Sequence, residues 1–281
     1  MKFPGELFTY DEEDRLTAFE CGSIDRDKVV VFIGGLGDGY NAVPFLEPLF
    51  ETVLDKKGWS LIQVQLSSSY QGYGINNLQT DVEELDKLVY HLKTYRGKKT
   101  IVLLGHSTGS QDCYWHNKYG KTNQDIASYI LQAPVSDREY FQANLENFQF
   151  YVDMAINYRR EGKGEELLPR DSLFGTPITA NRFYSLTVKG GDDDVFSTDL
   201  SDEEIKKLYE NVNRPICWIY SENDEFYVNK VEKQSDVMQR FQNICSAIKE
   251  THIIPNGDHS ITRKDSQIAF CKVIDDFLNK Y

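Results

Sequence analysis

From Thr100 the chain runs Thr-Ile-Val-Leu-Leu-Gly-His-Ser-Thr-Gly to Gly109, and no other stretch limits the possible folds as much. A short apolar, β-branched run enters G-x-S-x-G, and a helix-compatible stretch from Ser110 to Tyr119 leaves it. Strand, tight turn and helix in that order lift a serine hydroxyl above the edge of a sheet. Gly105 and Gly109 leave out side chains that would clash where strand and helix close on Ser107. The helix behind Ser107 points its N-terminal dipole at the place where negative charge builds up when that hydroxyl attacks a carbonyl. The five-residue pattern is weak by itself; the strand before it and the helix after it set it apart from a chance match in a loop.

The rest of the chain alternates in a way that fits such a turn. Residues 6–21 alternate around Asp11-Glu12-Glu13-Asp14, which predicts an antiparallel hairpin. Lys28 to Ile33 is a continuous β-branched run, as in a strand buried on both faces. A helix near 41–56, a strand near 59–65 and a helix over 77–95 follow; the last carries Leu78, Val82, Leu85, Leu88, Val89 and Leu92 at helical spacing. Further strands are expected at 126–132, Pro215 to Ser221 and Glu250 to Ile254, with a last helix near 263–280. This alternation implies a mostly parallel sheet with right-handed crossovers. Residues 135–213 interrupt it. They hold many aromatics, with helices expected at 137–161 and 201–211, and read as a cap over the strand C-termini, where ligands of open α/β sheets bind. The expected division is therefore a core of 1–134 and 214–281 with a cap insertion at 135–213.

Composition narrows the partners. A chain of 281 residues with net charge −13 is too acidic to track phosphates, which argues against nucleic acid. No apolar run has the length of a membrane span, and residues 1–10 lack the plan of a signal peptide. Cys21, Cys113, Cys217, Cys245 and Cys271 are scattered, odd in number and without C-x-x-C, as expected for free thiols of a cytoplasmic protein.

A serine nucleophile needs a base, and the base needs a carboxylate to hold its tautomer. His91 and His116 fall inside helices, His252 falls inside a strand, and His106 adjoins Ser107 and is expected to point away from it. His259 alone sits in a loop between a strand and the final helix, where the base belongs. Asp224, past the strand that ends at Ser221, is the carboxylate candidate, with Glu222 in reserve. Asp258 is too close to His259 in sequence to orient it. The oxyanion amides are expected from Thr108, after the nucleophile, and from Leu36, in the loop Gly34-Gly35-Leu36-Gly37-Asp38-Gly39. That loop lacks the G-x-G-x-x-G spacing of dinucleotide binding.

The stretch Asp192 to Glu204 is dense in acids. Two readings stay open. It is a solvated, flexible loop capping a helix that starts near Ser201, or Asp192, Asp193 and Asp194 draw in a cationic substrate. Calcium is only weakly indicated, because the loop spacing of an EF-hand is missing; no metal and no cofactor is expected.

With elbow, acid and base in place, the chain resembles the α/β-hydrolase superfamily over nearly its whole length. More narrowly it resembles the fungal branch that includes esterases of the siderophore fusarinine C. The residues that carry this are Phe32-Ile-Gly-Gly-Leu-Gly-Asp-Gly39, Gly105-His-Ser-Thr-Gly-Ser-Gln-Asp112, and Thr176-Pro-Ile-Thr-Ala-Asn-Arg-Phe-Tyr-Ser-Leu186 leading into Gly-Gly-Asp-Asp-Asp-Val-Phe-Ser197. The resemblance implies an α/β-hydrolase fold and a triad of Ser107, Asp224 and His259. Gly34 departs from the pattern, since many members place a histidine there to brace the oxyanion loop. The expected activity is hydrolysis of a small carboxylic ester through an acyl-enzyme, with a siderophore-type or other amine-bearing ester as substrate. A peptidase or thioesterase on the same triad, and a non-catalytic binding protein of the same fold, are the alternatives.

Overall fold

A computed structural model describes residues 1–281. In chain order the first half holds β1 (Gly5–Asp11), β2 (Leu16–Cys21), β3 (Lys28–Ile33), α1 (Leu46–Leu49), β4 (Trp59–Val64), α2 (Leu78–Thr94), β5 (Thr100–His106) and α3 (Gly109–Tyr119). The second half holds β6 (Ile126–Gln132), α4 (Asp137–Asn144), α5 (Phe148–Arg160), α6 (Ala180–Thr187), α7 (Asp202–Leu208), β7 (Ile216–Ser221), α8 (Gln234–Ile244), β8 (Ile248–Ile254) and α9 (Lys264–Leu278).

Strands β3 and β5 pair in parallel at the centre of the sheet, Val29 opposite Ile101 and Ile33 opposite Gly105. Val29, Val31, Ile101 and Leu103 face one apolar core; Val30, Phe32, Val102 and Leu104 face a second on the other side. Both faces being covered, neither strand has a polar side, which is why each reads as an unbroken apolar run. Helices α2, α3 and α8 close the first core with Leu85, Tyr114 and Phe241, while α1 and α9 close the second with Leu49, Phe270 and Ile274. The strand order is β1-β2-β4-β3-β5-β6-β7-β8. β1 and β2 form the expected antiparallel hairpin, and β2 also runs antiparallel to β4; the other neighbours are parallel. This is an α/β-hydrolase fold.

Two expected helices differ. The one expected near 41–56 is α-helical only over Leu46–Leu49, because it starts after Pro44 and then relaxes into a π turn, Phe50–Leu54, and a 3₁₀ turn, Asp55–Lys57. The one expected over 137–161 breaks into α4 and α5 at Asn147, whose φ of 55° is left-handed, a conformation asparagine tolerates. Between β6 and β7 the chain divides its loyalties. Phe141, Tyr151, Val152, Ile178 and Phe183 form an apolar cluster of their own, whereas Val195, Phe196, Leu200, Ile205 and Tyr209 join the first core of the sheet. The five cysteines are buried and unpaired, and no helix is long and apolar enough to cross a membrane.

Candidate active site

Ser107 leaves β5 with φ of 53°, a strained value for a non-glycine residue, and its N–H donates to the Gln132 carbonyl at 2.9 Å. The turn closes because its neighbours lack side chains. A Cβ on Gly105 would lie 2.1 Å from the Gly109 carbonyl oxygen, and one on Gly35 would lie 2.7 Å from Ser107 Cβ. The expected elbow is therefore present, pressed against the loop after β3.

The loops after β7 and β8 bring Asp224 and His259 together. His259 Nδ1 lies 2.8 Å from Asp224 Oδ1 and 3.0 Å from Oδ2, and the Phe226 N–H donates to Asp224 Oδ1 at 2.9 Å. The His259 N–H donates to Glu225 Oε2 at 2.9 Å, and its ring is held between Phe226 and His106, with centroids 4.3 and 4.9 Å away. Glu222, the reserve carboxylate, accepts from the Asn256 N–H instead. Ser107 and His259 line one cavity of about 310 Å³, walled by Tyr140, Phe141, Phe174 and Phe226. No direct hydrogen bond joins the Ser107 hydroxyl to the imidazole, whose side-chain bonds all run through Nδ1 and leave Nε2 free.

Leu36 also lines this cavity, and the N–H groups of Leu36 and Thr108 make no hydrogen bond within the protein. The brace that Gly34 removes is supplied by Asp38, a residue that sequence reasoning passed over. Its Oδ2 accepts from the Gly35 N–H at 2.8 Å, and a Cβ on Gly34 would meet Asp38 Cβ at 2.6 Å. Burial raises the Asp38 carboxyl above its ordinary range, while the Gly35 amide and His259 act to lower it. An aspartate three residues after Gly35 in a glycine-rich turn was the available signal.

His106 does not turn fully away from the site as expected. It lines the cavity floor, with Nδ1 2.5 Å from Gln132 Oε1, and Gln132 Nε2 donates to the His259 carbonyl at 3.1 Å. Burial, reinforced by the nearby His259, pushes His106 down to about 3, so it stays neutral and does not compete as the base. The other histidines are occupied elsewhere: His116 bonds Tyr129 Oη at 2.7 Å and His91 stacks on Phe8.

The acidic stretch requires a correction. Asp193 and Asp194 are not exposed to draw in a cation; both are buried and already paired. Asp193 pairs with Arg182 and accepts from Ser185 Oγ at 2.6 Å; Asp194 accepts from Arg138 Nε at 2.9 Å and from the Gly190 N–H at 2.9 Å. Asp192 is exposed, but it borders a different cavity, with Arg159 and Asn181. The solvated-loop reading fails for the same reason over Asp193–Thr198, which is buried, although Ser201 and Glu204 do form a capping box on α7. No group of three His, Cys, Asp or Glu side chains has metal-binding geometry. Behind the oxyanion loop, a cavity of about 30 Å³ is lined by Thr108, Asp81, Asp112 and Arg182.

Residues 1–279 match the protein family described as "Protein of unknown function (DUF1749)". The chain is 35% identical to a UPF0613 protein of Schizosaccharomyces pombe, covering 95% of this chain and 93% of the relative. It is 31% identical to the fusarinine C esterase sidJ of Aspergillus fumigatus, over 93% and 91% of the two chains. The solved structure of the siderophore hydrolase EstB from Aspergillus fumigatus superposes with a TM-score of 0.82 at 28% identity, covering 99% of this chain and 98% of that one.

Proposed function

The chain belongs to the DUF1749 family of α/β hydrolases and is an ester hydrolase; on that premise we propose that it works as a serine esterase through Ser107, His259 and Asp224. The observation that carries this reading is the His259–Asp224 pair, which faces a cavity shared with a serine on a strained elbow. His259 Nε2 takes the proton as Ser107 Oγ attacks the ester carbonyl, and Asp224 holds the proton on Nδ1 and stabilises the imidazolium. The unengaged amides of Leu36 and Thr108, the latter at the N-terminus of α3, receive the oxyanion. His259 then protonates the departing alcohol, and a water activated by the same imidazole releases the acid from the acyl-enzyme.

The part of residues 135–213 with an apolar cluster of its own, from Phe141 to Leu186, acts as a cap, with Tyr140, Phe141 and Phe174 walling the substrate. The names of two relatives, a fusarinine C esterase and a siderophore hydrolase, support a siderophore-type ester as the substrate class. A fluorophosphonate probe should label Ser107 in the wild type. Ser107→Ala should lose labelling and lower turnover of a hydroxyornithine ester by about 10³ or more while keeping its fold. Activity within tenfold of wild type would remove Ser107 from the mechanism.

A further inference from the structure

The cavity around Ser107 holds a carboxylate that the triad does not use. Asp137, the first residue of α4, is buried, yet its side chain lines that cavity. Oδ2 accepts from Gln111 Nε2 at 2.6 Å, and Oδ1 makes no hydrogen bond within the protein. Arg138, next to Asp137 on α4, is engaged by Asp194 and Asp199, and Arg182, whose charge also reaches Asp137, is engaged by Asp193. Buried carboxylates without a paired cation are rare, because one hydrogen bond only partly replaces the water that the charge has lost. The cavity could hold a cation, since Tyr140, Phe141, Phe174 and Phe226 line the same space. Aromatic faces beside a carboxylate are the general chemistry for holding an ammonium or guanidinium group. The other carboxylate on the cavity, Asp38, braces the oxyanion loop by accepting the Gly35 N–H through Oδ2.

We propose that Asp137 is the specificity determinant for a protonated amine on the ester substrate, binding it through Oδ1 while the scissile carbonyl lies against Ser107. This deepens the esterase reading and rests on it. It also moves the recognition of positive charge from Asp192–Asp194 into the cavity itself. Burial, with Asp193 adding to it, holds the Asp137 carboxyl well above its ordinary range, so the free site tends to keep a proton that an arriving ammonium displaces.

The test is a pair of esters that share acyl group and alcohol, one with a free amine and one with that amine acetylated. The readout is the ratio of kcat/KM for the charged ester to that for the neutral one. Asp137→Asn keeps the shape and an oxygen to accept from Gln111, so a purely structural role would leave the ratio unchanged. The ratio is expected to fall by about thirtyfold or more, as when one partner of a buried charge pair is removed. An unchanged ratio, with the variant still labelled by fluorophosphonate, overturns this inference and leaves the esterase reading intact. A wild type that the probe does not label overturns both. Should Asp137→Asn fail to fold, the wild type alone decides: no preference for the charged ester over its acetylated partner also overturns the proposal.

Discussion

Asp224→Asn should nearly silence the enzyme without unfolding it. In the wild type, both Asp224 oxygens face His259 Nδ1 at 2.8 and 3.0 Å, and Oδ1 also accepts the Phe226 N–H. Asparagine keeps one oxygen for Phe226 but turns an NH₂ group toward Nδ1, which forces the ring proton onto Nε2. That tautomer cannot accept the proton of Ser107. When the imidazolium forms, it also lacks a carboxylate whose attraction is about 4 kcal/mol at a charge separation of about 4 Å and an effective dielectric of about 20. That is about a thousandfold in rate, and the tautomer penalty brings the loss in kcat to about 10⁴. The assay is turnover of a p-nitrophenyl ester, with the rate of fluorophosphonate labelling as an independent measure of serine reactivity. Circular dichroism and the thermal midpoint would report whether the fold survives. Glu222→Gln is the control, because Glu222 bonds the Asn256 amide and not the imidazole; it should stay within about threefold of wild type, as surface changes usually do. Asp224→Asn retaining a tenth or more of wild-type activity, or Glu222→Gln falling as far, would refute this account of the site.

Two further outcomes concern stability. Arg182→Met leaves the Asp193 carboxylate buried with only Ser185 to bond it and should cost about 3–5 kcal/mol in urea unfolding; a loss below about 1 kcal/mol would mean that the pair holds nothing in place. Burial holds Asp81 up to about 7 and Asp112, repelled by Asp81, above its ordinary range. A carboxyl whose pKa is raised on folding contributes stability that is complete below about pH 4 and is lost as pH rises through the folded pKa. Unfolding free energy should therefore decline between about pH 4 and 7, and Asp81→Asn should flatten the decline; an unaltered slope would show that Asp81 is not its source.

The parts of this molecule that were legible in the sequence are those set by local pattern. A two-sided strand such as β3 announces itself because every residue from Val29 to Ile33 is apolar, and the elbow does so because Gly105 and Gly109 are needed within five residues of each other. His259 was legible by its place after a strand and before the last helix, and Asp224 by its distance past β7. Partners from distant segments were not legible. Nothing near Asp193 or Asp194 in sequence indicates that Arg182 and Arg138 will neutralise them, so an ion-paired interior segment reads as a solvated acidic run. Asp137 looks like an ordinary first-turn acid behind the Ser136 cap, a place where acids favour the helix dipole anyway. Its position in the Ser107 cavity depends on how α4 leaves β6, which no local pattern encodes.

The buried charges bear on the site through the segment that carries its walls. Phe141 and Phe174 reach the cavity from a part of the chain whose apolar cluster is largely its own, and apolar contact is non-directional, so burial alone would let that part slide over the sheet. Polar anchors remove the freedom. Arg182 donates to the Tyr73 carbonyl at 3.0 Å, Tyr73 Oη meets Thr176 Oγ1 at 2.8 Å, and the Thr179 N–H donates to the Gly74 carbonyl at 2.9 Å. Arg138, next to Asp137 on α4, is held by Asp194 and Asp199. A shift of about an ångström would break several of these at once, and each buried group left unpaired costs on the order of 1–3 kcal/mol. The network therefore has one favoured register, in which Asp137 and the aromatic walls stand around Ser107. The acidic run that reads as a lure for substrate thus acts within the fold, by fixing the aromatic walls of the Ser107 cavity.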